Sequence, residues 1–105
     1  MMLPIIEEHR PEIAALCRRF GVRRLAVFGS AARGMDFDPA RSDVDLLVEF
    51  EPSAGYDLAA FIDLKEALEK VLGRPVDLVD RGAVETSRNY IRRRSILKQA
   101  EPVYG

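Results

Sequence analysis

The stretch Ser42-Asp43-Val44-Asp45-Leu46-Leu47-Val48-Glu49-Phe50 opens with two carboxylates and runs on into an apolar β segment. Aspartate is depleted in strands, so two of them at the head of a strand need a reason. Alternate residues of a strand project from one face, which puts Asp43 and Asp45 on the same side with Cα atoms roughly 6.5 Å apart. At an effective dielectric of ~20 two such charges repel by roughly 2–3 kcal/mol, and the fold gains nothing from that. A divalent cation reverses the sign, and hard carboxylate oxygens suit Mg²⁺ or Mn²⁺. Alone, Asp-x-Asp reads more readily as a solvated strand face. The surroundings shift the balance, because Val76-Asp77-Leu78-Val79 repeats the anomaly in a second apolar strand that starts after Pro75. Three carboxylates then interrupt two strands, and they form a shared metal site provided those strands are neighbours.

Working outward, Leu25-Ala26-Val27-Phe28 reads as a strand that feeds Gly29-Ser30-Ala31-Ala32-Arg33-Gly34. Gly29 would let backbone come close to a phosphate, Ser30 supplies a hydroxyl, and the amides of a following helical turn point at the anion. Arg33 adds a guanidinium fork for a triphosphate oxygen. Neither a Walker loop nor a dinucleotide fingerprint is present, and taken alone a Gly-Ser turn is an ordinary strand-to-helix turn. Residues 35–42 form a polar loop whose Asp36 and Asp38 lack the glycine and closing glutamate of an EF-hand.

The rest of the chain supplies helices. Pro11-Glu12 has the form of a first turn, Ile13, Leu16, Cys17 and Phe20 share one face, and Gly21 is a left-handed stop. Leu58 to Leu72 keeps a period near 3.6 through Phe61, Ile62, Lys65, Leu68 and Val71, and Gly73 closes it. From Glu85 the pattern is helical again. The order is helix, strand, strand, helix, strand, helix, which predicts an α/β (α+β) fold.

Composition bounds what such a fold can do. A chain of 105 residues has room for one domain, spanning 1–105. Lys and Arg number 16 against 17 Asp and Glu, so there is no global attraction to nucleic acid or membrane. No apolar run is long enough to span a bilayer, and no signal peptide opens the chain. Cys17 is the single cysteine, which excludes an internal disulfide; its apolar helical setting predicts a buried structural thiol. These features predict a reducing, cytoplasmic setting. His9, the only histidine, is expected at the surface. Arg92-Arg93-Arg94 spreads around a helix and reads as a solvated face before it reads as a contact for an acidic partner or nucleic acid.

Together, Gly29-Ser30-Ala31-Ala32-Arg33-Gly34, Ser42-Asp43-Val44-Asp45-Leu46-Leu47-Val48 and Val76-Asp77-Leu78-Val79 resemble the minimal nucleotidyltransferase (MNT) family of the DNA polymerase beta-like nucleotidyltransferase superfamily. The resemblance spans nearly the whole chain, up to a closing basic helix through Ile96, Leu97 and Tyr104. It implies a short mixed sheet with Asp43, Asp45 and Asp77 as catalytic residues and ligands of two Mg²⁺ or Mn²⁺ ions. It also implies ATP as donor, with Gly29, Ser30, Arg33 and Ser42 holding the nucleotide triphosphate. Many stand-alone members of this family are antitoxins encoded beside a HEPN toxin, and some adenylylate a tyrosine of that toxin, so the resemblance implies a HEPN-family partner. The polar loop over 35–41 is longer than in compact members, which bears on the acceptor side. Two other readings stay open: a silent module that neutralises a toxin by occlusion, and a transferase acting on a small molecule. Direct nucleic-acid binding is not expected, and no residue decides for or against a homo-oligomer.

Overall fold

The computed structural model describes residues 4–29, 43–54 and 57–105. Two short helices come first, α1 (Pro4–Glu8) and α2 (Arg10–Arg19), with Pro11 in the first turn of the second. Strand β1 (Val22–Phe28) and strand β2 (Val44–Phe50) follow, and then a 3-10 turn at Pro52–Ala54. The long helix α3 covers Leu58–Leu72, as its periodicity predicts. The Asp57 carboxylate accepts from the Ala59 N–H at its start, and Gly73 ends it at φ 66°. Strand β3 (Val76–Asp80), the short α4 (Arg81–Glu85), helix α5 (Tyr90–Gln99) and strand β4 (Glu101–Tyr104) complete the chain.

The sheet has the order β3-β2-β1-β4. Strand β1 runs antiparallel to both of its neighbours, whereas β2 and β3 are parallel and joined across α3, so the sheet is mixed. Strand alternation sorts the central side chains onto two faces. Val44, Leu46 and Val48 of β2, with Leu25 and Val27 of β1, pack against Ile6, Ile13, Cys17, Leu64 and Leu68 of the first three helices. The opposite face carries Ala26, Phe28 and Leu47 under Val84 of α4 and Ile96 of α5. Covered on both sides, β2 buries Leu46, Leu47 and Val48 in succession, which explains its uninterrupted apolar run. Burial also pushes the Cys17 thiol up to about 12, so it stays protonated and inert, as expected of a structural cysteine.

The structure departs from the sequence reading at the termini. The chain does not stay helical through Tyr104: α5 ends at Gln99 and residues 101–104 form a strand against β1. Pro102 explains the change, since a proline inside a helix costs roughly 3 kcal/mol while one on an edge strand is tolerated. Strand β1 begins three residues before its apolar run, because the exposed Arg23 and Arg24 break the hydrophobic pattern. Arg24 is held there by Glu49, its cross-strand partner, at 2.5 Å. His9 is half-buried rather than fully at the surface, with Nδ1 2.9 Å from the Ile5 carbonyl oxygen.

Candidate active site

The parallel pairing of β2 and β3 sets Asp45 directly opposite Asp77. Neighbouring strands lie roughly 4.8 Å apart, so the condition that the two strands be adjacent is met. On its other side Asp45 pairs with Phe28, the last residue of β1 before Gly29. Asp43 stands two residues earlier, exposed, just ahead of β2. Asp45 shares its face with Leu47 and Asp77 shares its face with Val79, and both apolar residues belong to the cluster under α4 and α5. The carboxylates thus lie at the end of this face where β1 finishes and β2 and β3 begin.

Charge in this corner is concentrated. Asp45 is half-buried, and its carboxyl is raised above the usual range first by that burial, then by the charge of Asp77, then by that of Asp43. Both other carboxylates therefore act on Asp45. Among the described residues, no three acidic, thiol or imidazole groups already stand together as a ligand set for one ion. The donor chemistry nevertheless fits a hard divalent cation, because clustered carboxylate oxygens with a neighbour-raised acid are what such an ion stabilises.

Gly29 has a role that the sequence reading did not assign to it. Its φ is 70°, and a Cβ placed there would lie 2.5 Å from Oδ2 of Asp45. Only a residue without a side chain leaves the Asp45 carboxylate its place beside the turn. Ser30, Arg33 and Ser42, the other residues expected to bind nucleotide, lie outside the described residues.

The frame that positions the pair is buried and hydrogen-bonded. Val44 and Val76, the residues before Asp45 and Asp77, are both buried. The Val44 N–H donates to the Pro75 carbonyl at 3.0 Å, which opens the parallel ladder. The Val76 N–H donates to the Glu69 carboxylate of α3 at 3.0 Å, and Lys65 donates to the same oxygen at 3.2 Å. The Val76 N–H, then Lys65, hold the Glu69 carboxyl below its usual range. In the sequence Lys65 and Glu69 form only an i, i+4 helix pair, and nothing local marks Glu69 as the anchor of β3.

A sheet of this order, with three carboxylates at one corner and a glycine turn beside them, defines a nucleotidyl-transferring class of protein. The nucleotidyltransferase domain family matches residues 13–101. The chain belongs to that family and is a nucleotidyltransferase. It is 43% identical over 82 residues to the protein adenylyltransferase MntA of Thermococcus cleftensis, covering 78% of this chain and 76% of that one. A solved minimal nucleotidyltransferase superposes with a TM-score of 0.75 at 38% identity, covering 97% of this chain and 96% of the other. The MNT antitoxin complex with tri-AMPylated Shewanella oneidensis HEPN toxin gives a TM-score of 0.63 at 20% identity, covering 95% and 72%, which is a likeness of fold. The expected polymerase beta-like fold is therefore correct.

Proposed function

We propose that this nucleotidyltransferase moves AMP from ATP onto a tyrosine hydroxyl of a HEPN-family partner, and that it acts in this way as an antitoxin in the cytoplasm, as a single domain over 1–105. The observation that carries the reading is the register of Asp45 against Asp77 beside Gly29, with Asp43 at the mouth of the same strand. The adenylyltransferase relative supports AMP as the group transferred. The fold shared with an antitoxin seen beside an AMPylated toxin supports the kind of partner.

Asp43, Asp45 and Asp77 would hold the divalent cations. Bound there, such ions neutralise the mutual repulsion of the carboxylates and the charge that develops at the phosphate. The turn at Gly29 offers backbone close to the triphosphate, with Ser30, Arg33 and Ser42 as its further contacts. Asp77 faces the acceptor and favours loss of the hydroxyl proton. The acceptor oxygen bonds to the α-phosphorus, the bond from that phosphorus to the bridging oxygen breaks, and pyrophosphate leaves with the electron pair toward Gly29.

Incubation with α-labelled ATP, Mg²⁺ and the product of the adjacent gene tests the assignment. Label on that protein, abolished by Asp43→Ala, is expected. Binding of nucleotide without any labelled acceptor would overturn it. Asp77→Asn is expected to retain nucleotide binding while transfer falls on the order of 10²–10³-fold; equal loss of both would refute the division of roles.

A further inference from the structure

Beneath α4 and α5, on the same face as the carboxylates, lies a cavity of about 140 Å³. Val79, Val84 and Ile96 form its floor, and Ala83, Ser87 and Arg92 stand around it. An aliphatic cavity of roughly 150 Å³ holds one benzene ring, so the size is that of a single six-membered aromatic. Val79 is two residues beyond Asp77 on β3, with its Cα roughly 6.5 Å farther along the strand on the same side.

Direction follows from the strand order. Gly29 ends β1, and β2 separates it from β3, so the glycine turn and the Asp77 strand lie roughly 9–10 Å apart across the sheet. In an in-line displacement the attacking and leaving oxygens sit on opposite sides of the phosphorus. Pyrophosphate that leaves toward Gly29 therefore places the attacker over β3, where the cavity is. We infer that the cavity seats the aromatic ring of a tyrosyl acceptor, with its hydroxyl directed at Asp77.

This inference rests on the transfer reading above and specifies its acceptor. The phenolic oxygen bonds to the α-phosphorus, its proton passes to the Asp77 carboxylate, and pyrophosphate departs. The rim suits a ring carried on a protein segment. Arg93 is tied back to the Ser87 carbonyl at 2.9 Å, while Arg92 is exposed on the cavity wall and can lie over an aromatic face. Tyr90 and Ile91, 62% and 68% exposed, stand in the same first turn of α5 as Arg92 and give an approaching segment apolar surface.

Ala83 is exposed and lines the cavity, so Ala83→Trp fills the space without disturbing the core. With labelled ATP and the adjacent gene product as acceptor, this variant is expected to raise the acceptor KM on the order of tenfold or more, leaving the affinity for a non-hydrolysable ATP analogue unchanged. Arg92→Ala is expected to raise the same KM by a smaller factor. Loss of affinity for the ATP analogue in Ala83→Trp, with acceptor KM unchanged, would overturn the inference and place the donor base in the cavity. An unaltered KM for both substrates would also overturn it. Mass-spectrometric mapping of the label to a serine or threonine would refute the aromatic acceptor while leaving transfer itself intact. If wild-type protein labels no acceptor, the transfer reading fails first and the inference with it.

Discussion

Asp45 is held where its charge is least welcome, half-buried between Asp77 and Asp43. A carboxyl raised in the folded state favours folding when protonated; that contribution is complete below the unfolded pKa and is lost as pH rises through the folded one. At pH 7, with chelator present, the ionised group therefore opposes folding. Asp45→Asn is expected to raise Tm in EDTA while transfer falls on the order of 10²–10³-fold, and thermal denaturation paired with the labelling assay checks both. Gly29→Ala meets the same carboxylate and also forces an alanine to positive φ. It is expected to lose about 1–3 kcal/mol in urea denaturation and to bind ATP more weakly. At this scale the pairing of Asp45 with Asp77 was legible because each interrupts an apolar strand, while Asp43 stands just ahead of the first. The second duty of Gly29 was not, since no local pattern tells which side chain a glycine must avoid.

The elements differ in how plainly they announce themselves. Helix α3 has both ends written into it, Asp57 as cap and Gly73 as stop, so its bounds could be read directly. Strand β4 could not, because a proline at its second position and only one buried side chain, Val103, leave no alternation to detect. The tie between Glu69 and the Val76 N–H joins α3 to the start of β3 and appears only once the chain has folded. Removing it by Glu69→Ala is expected to speed hydrogen exchange of the Val76–Asp80 amides roughly fivefold, the equivalent of one net hydrogen bond. Because the Glu69 carboxyl is held low, the wild-type advantage is present above the unfolded pKa and fades as pH falls through the folded one. Exchange of wild type and variant is thus expected to converge in acid.

Across the whole molecule the two faces of the sheet do different work. One is sealed by α1, α2 and α3 around a continuous aliphatic core, and Leu68 is fully buried within it. Leu68→Ala is expected to cost about 2–5 kcal/mol in chemical denaturation, with the nucleotide affinity of the remaining folded protein little changed. The other face is covered by α4 and α5 and carries the carboxylates next to that cover, two residues away along β3. Among the described residues no helix is long and apolar enough to cross a membrane.

The parallel register has a consequence for the lifetime of the protein. Asp45 and Asp77 are adjacent in space but separated by about thirty residues of chain, which includes all of α3, and β3 sits on the outer rim of the sheet. A ligand shared by the two aspartates therefore acts as a removable clasp on a long loop, worth about 2.7 kcal/mol when present at a hundred times its Kd. Without it β3, an edge strand, opens more readily and presents its backbone to proteases. The rate at which the protein is degraded would then fall as divalent cation is supplied, so that survival and readiness for transfer depend on the same ion.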